Sequence, residues 1–284
     1  MSVEEAALFI DLFFKKNEKY FASSRYTLNK GLWYWLSTRL KLAHYNVGTP
    51  PVGDPMLDAL AYRFYYALMA LDEMGIQYFL GANNDTKDNT LYHFNYLITL
   101  ITGIFDNLAL KTNTQLGINY TDLRKVSINN KSGRDFLKEV KNKRPDIRDH
   151  IHSYVVFISL IYLFRELVVH REGLSKTGFD YRSRDGNWRA NFIKVSAEIK
   201  RKLKACGDKA GNYDPFTKWG FYESGTQYFL DPYNFSLEAI KKLSEFIEKY
   251  LEFLGYNSFI KTQEQKDDDF TKTMKFFEKY HLGF

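Results

Sequence analysis

The most apolar stretch of the chain, SYVVFISLIYLFRELVVHREG, closes on ionisable residues, among them Arg165, Glu166, His170 and Arg171. Between Tyr154 and Val169 the only other polar side chain, tyrosine hydroxyls aside, is Ser159. A helix that is apolar on every side is buried on every side, and a charge within it needs a partner or a function. Arginine is shaped for forked contact with phosphate, and histidine moves a proton near neutral pH. On a helix, Arg165 and His170 stand about 7.5 Å apart in rise and about 140° apart in rotation. A long Arg side chain bends across that gap, so guanidinium and imidazole would converge on one phosphate at the helix end, with Arg171 as a further cation. The other reading of the same residues is a buried pair between Arg165 and a carboxylate that fixes helix register.

Arg165 to His170 in RELVVH has the Arg-x4-His spacing, and here the chain resembles the HEPN (higher eukaryotes and prokaryotes nucleotide-binding) domains. The likeness covers roughly residues 88–175 plus helix 236–254. The resemblance implies an all-α bundle, often a homodimer, that binds RNA or a nucleotide. It also implies metal-independent ribonuclease chemistry of the kind found in toxin–antitoxin, phage-defence and RNA-processing systems, with an antitoxin or another protein as a further partner. Arg165 would stabilise charge building on the phosphate, and His170 would carry the proton. The products would be a 2′,3′-cyclic phosphate and a 5′-hydroxyl. Directly after the Arg the family usually has Asn, Asp or His, and this chain has Glu166. A non-catalytic helical module that binds a nucleotide, RNA or partner protein is the alternative, with Glu166 neutralising Arg165.

Two more Arg/His spacings occur, Arg39-x4-His44 and Arg144-x5-His150. The first reads as a solvated helix face and the second spans Pro145 at a helix start. Asn95, Thr99, Thr102 and Asp106 form a polar line at spacings 4, 3, 4 on a helix expected over 90–111. Such a line either faces solvent or faces the 146–172 helix, where Asp106 would pair with Arg165 or orient His170. Residues 182–209 hold nine Lys/Arg against three acids, a net of +6. Arg189, Lys194, Lys200, Arg201 and Lys204 lie off the apolar stripe of a helix expected over 188–205, either as a solvated face or as a track for a phosphate backbone. His150 and His152 lie two apart, which points them to different helix faces and argues against a metal site. Cys206 has no nameable base beside it, and no Walker loop, G-x-G-x-x-G, H-E-x-x-H or G-x-S-x-G is present. No cofactor and no metal are expected.

The elements that must position these residues are mostly helical. Apolar spacing predicts helices over 3–22, 28–44, 55–80, 90–111, 146–172, 188–205, 236–254 and 270–281, with one or two short ones in 112–144. GTPPVGDP (48–55) and GANNDTKDN (81–89) read as breaks, and KWGFYESGTQYFLDP (218–232) as the one β-hairpin. The expected fold is therefore an all-α bundle of about eight to ten helices with a small β-hairpin insertion. Its expected division is an N-terminal helical subdomain, 1–85, and a HEPN-like bundle, 86–284. The 284 residues, 45% apolar, suffice for a sizeable core, and one Cys excludes a disulfide framework. The acidic opening MSVEEAALF does not resemble a secretory signal, and no apolar run approaches the ~20 residues of a membrane span. The expectation is a cytoplasmic protein with no membrane partner, and the formal charge of +6 hints at polyanion contact.

Overall fold

The computed structural model describes residues 55–79, 84–170, 176–178, 191–207 and 218–255. The helices expected at 3–22, 28–44 and 270–281 lie outside these residues. Within them the chain is mainly α-helical with a small antiparallel sheet, as the periodicity predicts. The helices are α1 (Pro55–Phe79), α2 (Asn84–Gln115), α3 (Arg134–Lys143), α4 (Pro145–Ser153), α5 (Val155–His170), α6 (Ala197–Ala205) and α7 (Pro232–Phe253). The strands are β1 (Lys176–Gly178), β2 (Asn191–Val195), β3 (Phe221–Ser224) and β4 (Gln227–Leu230), in spatial order β1-β2-β4-β3.

Proline suits the first turn of a helix because its missing N–H has no intrahelical partner there, and α1 begins at Pro55. α1 and α2 pack along most of their length. Arg63 crosses between them, its guanidinium donating to Gly103 O and to Asn107 Oδ1 at 3.0 Å. A Cβ at position 103 would sit 2.7 Å from that guanidinium, so a larger residue there would push the Arg63 side chain aside. α2 starts at Asn84, inside the stretch expected as a loop. Asp85 lies in its first turn, where the helix dipole favours an acid.

The helix expected over 146–172 is two helices, α4 and α5, bent by 65° at Tyr154. Neither Pro nor Gly causes the break. Ser153 Oγ donates to His150 O at 2.7 Å and so takes up a carbonyl of the last turn, a known route to a bend. The His150 ring stacks on Phe246 at 5.0 Å and its Nε2 meets Phe246 O at 3.0 Å, which ties α4 to α7. Tyr154, at φ −106° and ψ 10°, packs its own ring against Phe246. Two anchors on one α7 residue hold α4 in place while α5 departs in another direction.

The helix expected over 188–205 is strand β2 followed by the short α6. Phe192, Val195, Ile199 and Leu203 do fit helical spacing, but Ile193 and Val195 also alternate, and pairing with β4 decides the competition. Ser196 then caps α6, accepting from Ile199 N at 3.3 Å. The predicted hairpin forms as β3–β4, with Gly225 at φ +58° as first residue of its two-residue turn. β1 and β2 extend it to four strands. α7 begins at Pro232, four residues before the expected Ser236 cap. Buried Asp231 is the cap and accepts from Tyr233 N and Asn234 N at 2.9 and 3.1 Å. Ser236 instead donates back to Pro232 O at 2.6 Å.

The core is aromatic. Phe94 of α2, Phe164 of α5 and Phe235 of α7 form a triangle of edge contacts at 5.0–5.7 Å. Phe105 continues it to Phe157 and Phe246, and Trp219 joins Phe157 to Phe235. Each such pair contributes about 0.5–1.5 kcal/mol beyond area burial. Leu60, Phe64 and Met74 of α1 belong to the same core, so α1 shares its interior with the helices that follow. Among the described residues no single helix is long and apolar enough to cross a membrane.

Asp231 supplies the first prediction. Burial pushes its carboxyl up to about 7, against hydrogen bonds from Asn234 and Tyr233 that favour the charge. An Asp raised in the folded state contributes stability below its unfolded pKa of about 3.9 and loses it as pH rises toward 7. Asp231→Asn keeps a cap acceptor and does not titrate. Urea unfolding at pH 4, 5.5 and 7 should show wild type losing at least about 1 kcal/mol relative to D231N on going from pH 4 to 7.

Candidate functional site

α5 buries Phe157, Ile158, Leu160, Ile161 and Phe164 in the core, while Ser159, Tyr162, Arg165 and Glu166 are only partly buried and reach a cleft. These four form one wall of that cleft, which has a volume of about 570 Å³. Facing them are the 129–132 loop, which contributes Lys131, and α6, which contributes Glu198 and Lys202. Three cations therefore face two carboxylates. The helix that its composition marks as apolar all round is fully buried on one side only, and Arg165 is half-buried at the cleft. Among the described residues no carboxylate lies within ion-pair distance of its guanidinium.

The loop wall is held by hydrogen bonds. Tyr162 donates to Asp106 Oδ1 of α2 at 2.7 Å. Ser127 Oγ hydrogen-bonds the same phenol and accepts from Asn129 N at 3.1 Å. Burial, followed by the charge and hydrogen bond of Asp106, pushes the Tyr162 hydroxyl well above the usual phenol range. Ser127 and the positive charge of Arg165, one turn on, pull the other way and lose. Tyr162 thus stays protonated as a donor and cannot act as a base. At the far end of the loop Gly133 lies against Ser127, and a Cβ there would fall 1.8 Å from Ser127 O. Glycine at 133 is what lets the loop close before α3.

Of the polar line on α2, only Asp106 reaches α5, and it meets Tyr162 rather than Arg165. Thr102 is buried and bonds back to Ile98 O and Thr99 O, while Thr99 is exposed. His170 is the last residue of α5, and its side chain lies outside the described set, as do Arg171 and Arg189. Lys200 and Lys204 both bridge to Glu223, at 3.1 and 3.2 Å, and Lys200 also sits 4.2 Å over the Tyr228 ring. Burial works against the Glu223 charge, but the two lysines outweigh it and lower its carboxyl pKa. Two cations of the expected phosphate track are thereby compensated within the fold, while Lys194 and Arg201 remain exposed. The residue that the patch reading passed over is Lys202. Its Nζ donates to Ser159 Oγ at 2.9 Å inside the cleft, although Glu198 stands one turn before it on the same helix.

The chain has no similar protein in any comparison: no family model, no curated protein and no solved structure matches it.

The remaining candidates have structural roles. Arg144 makes a two-point pair with Asp146, and His150 is stacked into α7, so the Arg144-x5-His150 spacing brings no site together. Burial lowers the pKa of His150 and keeps its ring neutral for that stacking. His152 is exposed. Among the described residues no cluster of three or more His, Cys, Asp or Glu side chains is placed to hold a metal.

Two substitutions test this account of the cleft wall. Tyr162→Phe leaves Asp106 without its phenol and should cost about 1–3 kcal/mol in urea unfolding. Gly133→Ala forces the loop away from Ser127 O and should cost at least about 2 kcal/mol, with loss of amide-exchange protection centred on residues 127–133.

Proposed function

We propose that the protein is a HEPN-like RNA-binding protein that holds an RNA phosphate against Arg165 and cleaves the strand without a metal ion, in a reducing, cytoplasmic setting. The observation that carries this reading is the Arg165 guanidinium. It is half-buried, open to a cleft and free of any carboxylate partner among the described residues, with Lys131 and Lys202 in the same lining. A half-buried guanidinium with no direct ion pair among the described residues has donors left over for an anion, and phosphate suits its forked donors. The Arg-x4-His spacing of the resemblance points to the same residues.

In the reaction the 2′-oxygen attacks phosphorus as His170 takes its proton, and the bond from phosphorus to the 5′-oxygen breaks. Arg165 stabilises the extra negative charge on the non-bridging oxygens. The leaving oxygen takes up a proton, and the products are a 2′,3′-cyclic phosphate and a 5′-hydroxyl. A homodimer, as the resemblance implies, would place a second His170 near enough to supply that proton. Glu166 and Glu198 in the lining favour one other reading, phosphate-dependent binding of RNA, a nucleotide or a partner protein without turnover.

The test is cleavage of a broad RNA panel in EDTA. Arg165→Ala should slow cleavage about 10²–10³-fold and His170→Ala about 10²–10⁴-fold, with cyclic-phosphate ends on the wild-type products. Equal activity in all three proteins, or none in any, overturns the nuclease reading. RNA binding that depends on Arg165 but gives no products establishes the non-catalytic one.

A further inference from the structure

We propose that Lys202 is a second phosphate-contacting residue of this cleft and holds the phosphate next to the one on Arg165, so that a single RNA strand runs along α5. The proposal rests on reading the cleft as an RNA site. A lysine whose helix carries an acid one turn earlier commonly pairs with it on the surface. Lys202 instead crosses to α5, donates to the neutral Ser159 hydroxyl at 2.9 Å, and is half-buried there. Among the described residues no carboxylate forms an ion pair with it. The hydrogen bond also lowers the cost of ordering a long flexible side chain before a ligand arrives.

Position along α5 supplies the second part. Ser159 and Arg165 are six residues apart, about 9 Å of rise. Helical side chains lean toward the N-terminal end of their helix. Arg165 therefore leans toward Ser159, in keeping with its charge being felt at the Tyr162 hydroxyl one turn back. Ser159 and Arg165 are also about 120° apart around the helix, so the two cationic heads line one cleft displaced both along and around α5, an arrangement that successive phosphates of one strand can follow. Glu198, one turn before Lys202 and exposed in the same lining, opposes such a strand.

The experiment is titration of the full chain with a labelled, 2′-O-methylated oligo-uridylate of about eight nucleotides, which cannot be cleaved by 2′-attack, at several salt concentrations. Lys202→Gln should weaken binding about tenfold and lower the slope of log affinity against log salt by about 0.7, the loss of one contact to a single strand. Lys202→Arg should restore most of both. Glu198→Gln should strengthen binding a few-fold. Lys249→Gln, an exposed surface lysine of α7 paired with Glu252, reports the effect of removing any one charge and should leave binding unchanged. Thermal unfolding checks that each variant is folded.

Wild-type affinity and salt slope in Lys202→Gln, with Arg165→Ala still impaired, overturn this proposal and leave the Arg165 reading standing. An equal loss in Lys249→Gln overturns it as a non-specific charge effect. Absence of oligonucleotide binding by the wild type overturns both readings.

Discussion

The cleft exists because α5 can bury only one of its sides. Phe94, Phe164 and Phe235 lock α2, α5 and α7 together through three edge contacts, and Phe105, Phe157 and Trp219 extend the lock. Once Phe157, Ile158, Leu160, Ile161 and Phe164 are committed to that interior, Ser159 and Glu166 are left on the opposite side of α5, with Tyr162 and Arg165 at its margin, and all four line the cleft. Truncating a ring of this kind costs about 3–5 kcal/mol, so the rotation of α5 is not a soft variable. The position of Arg165 at the cleft margin follows from the packing of rings on the neighbouring side of its own helix.

The bend at Tyr154 acts with that constraint. A straight helix over 146–172 would carry α4 along the axis of α5. The break instead lets α4 lie on α7 through the His150–Phe246 stack while α5 takes its own path. α6 then covers the outward face of α5 at Ser159 and leaves it open near Arg165 and Glu166, with the 129–132 loop as the other wall. The loop is tied back through Ser127 and Tyr162 to Asp106, a carboxylate on a third helix. Asp106 therefore serves the cleft without entering it, by shaping the wall opposite Arg165.

Charge is distributed less evenly than the composition implies. The excess in 182–209 includes Lys200 and Lys204, which Glu223 holds on the sheet. It also includes Lys202, on the same short helix, which turns to the other side and enters the cleft. A count of lysines treats these three alike. The pairing of β3 with β4, which sets Glu223 against Lys200 and Lys204, separates those two from Lys202, which among the described residues has no ion pair.

Much of the frame was legible in the residues alone. Pro55 marks the start of α1, the apolar spacing of α1, α2 and α7 is unambiguous, and Gly225 places the hairpin turn. Each is a local preference that the tertiary structure has no reason to overrule. Arg165 could likewise be singled out, because a guanidinium within an apolar run is conspicuous by type. What only the tertiary structure decided is where competing local options were close. The 191–195 segment fits a helix or a strand until β4 offers it a partner. The 146–172 run continues or breaks according to what α7 offers His150 and Tyr154. Asp231 outcompetes Ser236 as a cap because the turn after β4 buries it there. Ser159 met by Lys202, and Asp106 met by Tyr162, are pairs 43 and 56 residues apart. Sequence spacing reports neighbours within one element, whereas contacts between elements depend on how each helix rotates to bury its apolar side, and that rotation is settled only when all of them pack at once.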